Sequence, residues 1–584
     1  MTTSAVVALR QVGRAWRGVL PERADLSTMR RRPGRDLVAG VTVAVVALPL
    51  ALGFGVASGL GAAAGLATAI VAGAVAAIFG GSNLQVSGPT GAMTVVLVPI
   101  VATYGAPGVL TVGVLAGLLL MVLGLLRVGR YMRYVPAPVV EGFTVGIAAV
   151  IFLQQVPVAL GTDGGSGTNV TAAAVHAVMS FAAHPHWPAI GLSAGVALTM
   201  LIGARWRPSI PFSLLAVAAA TVLTTAAQLD VVLIGALPAT LPAPSLSFFH
   251  LTADSGLLAA AVAVAALAAI ESLLSATVAD GMTVGSRHNP DRELFGQGLA
   301  NLAAPLFGGV PATAAIARTA VNVRSGASSR LAALTHALVL AGVMLVAAPL
   351  VAQIPLAALA GVLLATAVRM IEVGSLTVMA KASRSDAVVM ALTGTVTLAL
   401  DVVKAVLLGL VVAGALALRS VARAATVREM PLDSTDHRTE ELELLRQHIV
   451  AYRLEGPLFF AAAHRFLLEL TETAHIAVVI LRLSRVTAID ATGALVLRDA
   501  VDRLEQRGTI VHLSGLRPEH ERALSAVGLL ARLRTAGRCH SSTPEAIAAA
   551  QADIAAVVDP VTPANDSPPS QDGAGRERTD ASGR

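Results

Sequence analysis

The sequence predicts an α-helical polytopic membrane protein of fourteen spans, built as a seven-plus-seven inverted repeat and followed by a cytoplasmic α/β domain. Three observations carry this. Of 584 residues, 55% are apolar and 13% charged, against roughly 45–50% and about 25% in soluble domains. The apolar residues fall in successive runs of about 20, the length that crosses a hydrocarbon core of roughly 30 Å. From about residue 425 the composition turns soluble, with Glu and Arg common. Aromatics are only 3%, so the apolar fraction is Ala, Val, Leu and Gly, residues that let helices approach closely in lipid.

In order, the spans are 36–59, 63–80, 84–103, 107–127, 137–160, 188–204, 210–227, 255–281, 292–307, 312–325, 329–351, 355–373, 384–401 and 403–421. Gly, Pro or charge interrupts the ninth, tenth and twelfth. With an intracellular N-terminus, basic loops belong after the even-numbered spans. Arg127, Arg130 and Arg133 follow the fourth, Arg205 and Arg207 the sixth, Arg287 and Arg292 the eighth, and Lys381 and Arg384 the twelfth, while Arg324 and Arg330 flank the turn after the tenth. Loops 161–187 and 228–254 contain no Lys or Arg. The net charge of +6 therefore reports topology rather than a nucleic-acid partner. Residues 1–35 carry arginines but no apolar stretch with a small-residue cleavage site, and read as a retained cytoplasmic leader. Both termini are expected in the cytoplasm. One cysteine, Cys539, excludes an internal disulfide, and no Cys/His cluster stands at metal-ligand spacing.

Beyond the transmembrane domain (36–424), a domain over 440–555 shows strand candidates at 448–454, 476–482 and 509–514, and helix candidates at 463–473, 491–506 and 517–527. Residues 556–584, rich in Pro, Ser, Asp and Gly, read as a disordered tail.

A repeat places the site. Ile78-Phe79-Gly80-Gly81 leads into Val86-Ser87-Gly88-Pro89-Thr90-Gly91, and Leu306-Phe307-Gly308-Gly309 leads into Val310-Pro311-Ala312-Thr313. The third and tenth spans thus match at an offset of seven helices, an odd number, so the copies are inverted. Paired Gly/Pro interruptions in the two halves of a transporter point to its binding site. Proline removes a donor and glycine relaxes φ, so each span should break and restart as a half-helix. Each restarted N-terminus then aims free N–H groups at one cavity that favours an anion. Candidate binding residues are Ser87, Gly88, Thr90, Gly91, Thr313, Ala314, Ala315 and Arg318. Glu271 lies midway along the eighth span, where a carboxylate is costly unless it faces a cavity or a partner. Glu141, Arg369, Glu372, Asp401 and Lys404 lie near span ends and read as interfacial or structural. His184 and His186 read as loop residues.

The chain resembles the sulfate permease (SulP) anion transporters with a C-terminal STAS domain. The resemblance rests on Asp36-Leu-Val-Ala-Gly-Val-Thr-Val-Ala-Val-Val-Ala-Leu-Pro49, Val86-Ser-Gly-Pro-Thr90, Gly296-Gln-Gly-Leu-Ala-Asn301 and Arg318-Thr-Ala-Val-Asn-Val-Arg324. Val46–Ser58 is similar to the sodium-coupled bicarbonate branch, whereas Glu271–Thr283 and Pro311–Arg318 are similar to the C4-dicarboxylate branch. In the bicarbonate branch the Glu271 position is an aspartate that holds Na⁺ with a hydroxyl one turn later, here Ser275. The resemblance thus implies Glu271, Ser272 and Ser275 for the coupling ion, H⁺ or Na⁺, with no other cofactor or metal. The longer Glu favours H⁺, since a low-dielectric cavity lets a glutamate carry a proton. Where some relatives carry a carboxylate after the first-span proline, this chain has Leu50. Val486-Thr-Ala-Ile-Asp490-Ala-Thr-Gly493 resembles the STAS loop whose phosphoserine follows the Asp; here that residue is Ala491, so the phospho-switch is absent.

The expectation is a secondary transporter of small anions (sulfate, bicarbonate or a C4-dicarboxylate) in the cytoplasmic membrane, in contact with membrane lipid. It would work by alternating access, as a homodimer, with a cytoplasmic partner for the STAS domain. A nucleobase permease of related architecture, a Na⁺-coupled bicarbonate symporter and a channel-like signalling protein are the alternatives. An enzyme has no support, because no nucleophile, base and orienting group recur at usable spacing.

Overall fold

The computed structural model describes residues 23–163, 169–207, 210–249, 254–283, 287–399, 408–409, 411–416, 418, 426–429, 449–458 and 476–558. The chain divides into two units, Met1–Ala413 and Gly414–Arg584.

The first unit opens with a short helix, α1 (Arg23–Met29), and continues through α2 (Pro33–Ala57), α3 (Ala62–Phe79), β1 (Ser87–Gly88), α4 (Gly91–Leu125), α5 (Ala137–Leu160), α6 (Val170–Ala183), α7 (Trp187–Trp206) and α8 (Phe212–Ala226). The second half follows as α9 (Ser255–Gly281), α10 (Pro290–Leu306), β2 (Thr313–Ala314), α11 (Ile316–Arg324), α12 (Leu331–Val351), α13 (Leu356–Met370), α14 (Val373–Ala382) and α15 (Arg384–Ala399). Among the described residues, eight helical stretches are long and apolar enough to cross a membrane. Each of the first thirteen predicted spans contains a helix. The fourteenth, 403–421, lies largely outside the described residues, as do Asp401 and Lys404.

Three differences from the sequence reading are physical. The segments before Pro89 and after Pro311 are extended rather than helical, and they form β1 and β2. Proline stops a helix from running through it, because it supplies no N–H and its ring clashes with the carbonyl four residues before, and Gly88 sits at φ +155°, outside the helical region. The third and fourth spans run together as α4, broken only at Gly105 (φ 65°, ψ −171°). Loop 161–187 carries α6, because the Asn169 side chain accepts from the N–H groups of Thr171 and Ala172 and so caps an alanine-rich run. His184 and His186 occupy the connection after it.

The second unit is a five-stranded sheet of order β3-β4-β5-β6-β7: β3 (Thr426–Glu429), β4 (Ile449–Leu458), β5 (Val478–Ile489), β6 (Ile510–Ser514) and β7 (Cys539–His540). β3 is antiparallel to β4 and the remaining pairs are parallel. Alternation sends Val479 and Leu481 to one face and Val478 and Ile480 to the other. The first face is covered by α16 (Ala491–Gln506), α17 (Pro518–Ala526) and α18 (Leu529–Thr535) through Leu497, Val501, Leu524 and Leu533. The second packs on Ala546 and Ala550 of α19 (Thr543–Val558). Both faces are buried, which is why β5 reads as a continuous apolar run. β3 precedes the predicted domain start at 440, and α19 continues through 556–558, which composition assigned to the tail. The helix candidate 463–473 and residues 559–584 lie outside the described residues.

α19 is tied to the sheet by polar contacts as well. On β6, buried His512 places Nδ1 2.9 Å from His540 Nε2 and Nε2 3.1 Å from Asp553 Oδ2. Burial holds the His512 pKa below the usual histidine range; His540 and Arg538 act the same way and Asp553 opposes them. Below about pH 6.5 the unfolded chain therefore binds the proton more readily than the folded one. This contribution to stability is complete at alkaline pH and is lost as pH falls below that value. Calorimetry should show the melting temperature of the C-terminal unit dropping between about pH 8 and 5.5, with a smaller drop in His512→Asn. Equal slopes in the two proteins would contradict this assignment.

Candidate functional site

The two Gly/Pro segments meet. β1 and β2 pair antiparallel, Ser87 against Ala314 and Gly88 against Thr313, although 226 residues separate Gly88 from Ala314 in the chain. Antiparallel contact at matched positions is what two inverted copies produce. Directly after the pair, α4 and α11 begin, so two helix N-termini start on either side of one short ladder.

Thr90 caps α4: its Oγ1 accepts from the Met93 N–H at 3.4 Å and donates to Glu271 Oε2 at 2.9 Å. Gly91 follows because Ile151 of α5 and Phe54 of α2 occupy the space a Cβ would need. At the other start, Ala315 occupies the cap position with no side-chain cap. The Ala314 N–H donates to Ser272 Oγ at 3.3 Å and the Ala315 N–H to the Val86 carbonyl at 3.1 Å. The donors left without a partner are therefore those that follow Thr90 and Ala315. Among the described residues, no hydrogen-bond partner stands against the N–H groups of Gly91, Ala92, Ile316, Ala317 and Arg318. Ile316 and Ala317 are exposed, so the described residues leave the first turn of α11 uncovered.

Arg318 is buried on the first turn of α11. Its Nη2 donates to the Pro89 carbonyl at 2.6 Å, and its Nη1 has no partner among the described residues. A Cβ on Gly88 would come within 2.5 Å of that Nη1. Glu271 lies on α9, half-buried, close enough to Arg318 for the two charges to interact. The pair stands beside both helix starts, so one cation, one carboxylate and two positive helix ends lie together.

The other sequence-derived candidates are present but engaged. Ser272 Oγ lies 3.0 Å from Thr313 Oγ1, and Ser275 Oγ donates to Thr319 Oγ1 at 3.0 Å. Thr319 Oγ1 also accepts from the Val86 N–H at 3.1 Å, so Ser275 is spent on holding β1. Ser87 Oγ accepts from Gln297 Nε2 at 2.6 Å. Glu141 accepts from Ser375 Oγ at 2.9 Å, a structural contact; Arg369 is exposed near the end of α13, and Glu372 precedes α14. Sequence reasoning assigned no role to Gln85, Glu293, Gln297 or Asn301. For the last three the signal was available as polar residues at i, i+4 and i+8 in the ninth span.

Comparison with known proteins now fits this geometry. Residues 34–393 match the Sulfate permease family and residues 444–546 the STAS domain. The chain belongs to the sulfate permease family. It is 34% identical to YvdB of Bacillus subtilis (strain 168), which carries a sulfate-transporter name, over 85% of this chain and 94% of that protein. The solved transmembrane domain of a cyanobacterium bicarbonate transporter, BicA, is 34% identical and superimposes with a TM-score of 0.60, covering 64% of this chain and 98% of that one. The murine Slc26a9 anion transporter in its inward-facing state shares the fold at 16% identity, with a TM-score of 0.78 over 92% of this chain and 94% of that one. This sulfate permease family member is thus a multi-pass membrane anion transporter with a STAS domain, and not an enzyme.

Space at the family member's site is set by its small residues. Gly88→Ala should push the Arg318 guanidinium aside and weaken anion binding about tenfold, which corresponds to about 1.4 kcal/mol. Titration of the purified protein with sulfate and with bicarbonate measures this, and an unchanged affinity would show that Arg318 does not face the anion.

Proposed function

We propose that this protein is a proton-coupled secondary transporter of a small oxyanion of the sulfate or bicarbonate class. The observation that carries the reading is the convergence of two helix N-termini, the Arg318 guanidinium and Glu271 at one place. Unpaired N–H groups at helix starts favour oxygens of an anion, each contributing typically 0.3–1 kcal/mol and up to about 2 where partly buried. The small cap residue Ala315 leaves room for an anion of a few heavy atoms. A C4-dicarboxylate is the less fitting cargo, because one cation matches one charged headgroup.

The state of the hydroxyls favours H⁺ over Na⁺. A sodium site would need several oxygens turned toward one point, as hard cations take oxygen ligands. Ser272 and Ser275 instead give their hydroxyls to Thr313 and Thr319, leaving Glu271 with Thr90. A carboxylate in that setting alternates between two forms. Protonated, it leaves the Arg318 charge uncompensated and admits the anion beside it; ionised, it pairs with the guanidinium once the anion has left. Alternating access then carries anion and proton together as the elements bearing Thr90, Glu271 and Arg318 move against the remainder. Cytoplasmic-membrane location and a dimeric assembly complete the reading, and the arginine pattern of the loops supports an orientation with the N-terminus in the cytoplasm.

Glu271→Gln, permanently neutral, should retain anion binding but lose concentrative uptake driven by a pH gradient in proteoliposomes. Undiminished proton-driven accumulation, or uptake that follows a Na⁺ gradient instead, would overturn the coupling assignment. Ala315→Phe fills the gap between the helix starts and should lower affinity for labelled sulfate and bicarbonate at least tenfold; wild-type affinity would remove the site from this position.

A further inference from the structure

α10 contributes none of the groups gathered at the helix starts, yet it carries three fully buried polar side chains at i, i+4 and i+8: Glu293, Gln297 and Asn301. Four residues advance a helix by about 6 Å and return to nearly the same face, so the three form a stripe about 12 Å long. In a membrane such groups are costly unless every one is used. Glu293 Oε2 accepts from the N–H groups of Gly81 and Ser82 at 2.7 and 3.1 Å. Gln297 Nε2 donates to Glu293 Oε1 at 2.9 Å and to Ser87 Oγ at 2.6 Å. Asn301 clasps one residue at both ends of its backbone: its Oδ1 accepts from the Ala312 N–H at 2.8 Å and its Nδ2 donates to the Ala312 carbonyl at 2.8 Å. The same Nδ2 donates to the Gln297 carbonyl at 2.9 Å.

The stripe therefore grips the first repeat at Gly81, Ser82 and Ser87 and the second repeat at Ala312. These are the segments that lead into the two anion-facing helix starts. β1 and β2 pair through a two-residue ladder, and Ser272 of α9 and Thr319 of α11 tie them to those helices. α10 adds the contacts that reach the segments on both sides of the ladder, at Gly81, Ser82 and Ser87 and at Ala312.

We infer that Gln297 is a positioning residue of the anion site, acting through Ser87, and that α10 is the rigid spacer that fixes the separation of the two helix N-termini. The inference rests on the oxyanion reading above. An electrostatic site loses strength when its donors move, so a spacer error appears as lost affinity rather than as lost fold.

The test uses the full-length protein in detergent. Anion affinity is measured with labelled sulfate and labelled bicarbonate for the wild type, Gln297→Ala, Ser87→Ala and the double variant. Each single variant should lose at least fivefold in affinity, and the double variant should be no weaker than the weaker single, because both remove one connection. Additive losses, or a lowered melting temperature with unchanged affinity, would overturn the inference. Hydrogen exchange is measured alongside: Gln297→Ala should speed exchange at least fivefold both over 81–88 and over 312–318, the latter untouched by Gln297 itself. Unchanged exchange over 312–318 would refute the spacer. Should Gln297→Ala fail to fold, Gln297→Met keeps the volume, removes only the hydrogen bonds, and is read by the same criteria. If the wild type binds neither anion, the oxyanion reading falls and the exchange comparison alone decides this one.

Discussion

The pairing of β1 with β2 is the constraint on which the transporter unit depends. Two stretches of backbone leave helical conformation inside an apolar helix packing, where each unpaired N–H or C=O costs several kcal/mol. They satisfy each other in part, and side chains take up the rest. Thr319 receives the Val86 N–H, Ser272 the Ala314 N–H, Asn322 donates to the Leu84 carbonyl and Asn301 closes on Ala312. Several buried hydroxyls and amides near the site are thus committed to non-helical backbone. The backbone amides left over are those at the helix starts, and that remainder is the proposed binding surface. Function and the cost of folding are two readings of the same hydrogen-bond account.

Close approach of backbones makes the arrangement possible. Without a hydrophobic effect between helices in lipid, small residues set how near they come. A Cβ on Gly117 of α4 would lie 2.7 Å from the Gly298 carbonyl of α10, and one on Gly124 2.7 Å from the Asp291 carbonyl. The turn at Gly80 and Gly81 rests on α10 in the same way, against Gly296 and Glu293. Larger side chains at these positions would move α10 away from both extended segments. The polar stripe would then lose its partners together, which makes glycine content here a requirement of the site as much as of the packing.

The two ends of the transporter unit are anchored by buried charge. Asp36 accepts from the N–H groups of Ser328 and Ser329, at 2.6 and 3.1 Å, just ahead of α12. Arg330 donates to the carbonyls of Ala77, Ile78 and Gly80, at 3.1, 3.4 and 2.6 Å, finishing α3 where its last carbonyls have no helical partner. Asp25 of α1 pairs with Arg292 at 2.6 Å and with Arg330 at 3.3 Å, so part of the predicted leader is built into the unit. The STAS unit follows a different logic, that of a parallel sheet buried on both faces. Asp490 opens α16 by accepting from the Gly493 N–H at 2.6 Å, and Ala491 beside it offers no hydroxyl.

Span positions were legible in the sequence because a bilayer demands some twenty apolar residues per crossing, and composition alone reports that. The paired Gly/Pro breaks were legible because the same irregularity stands in each half of the unit. Glu271 stood out because a carboxylate inside an apolar run has no inexpensive bystander role. What the half-spans become was decided by tertiary structure: local signals say that helix stops at Pro89 and Pro311, but only a partner 225 residues from Gly88 makes extended backbone there affordable. The fate of each hydroxyl was equally hidden. Ser87, Ser272 and Ser275 have side chains that serve a ligand or a neighbour equally well, and the choice rests on distances that no spacing encodes. α10 shows the limit most plainly, since its polar residues recur with helical period in the sequence, yet their task is to join two segments that only the folded chain brings together.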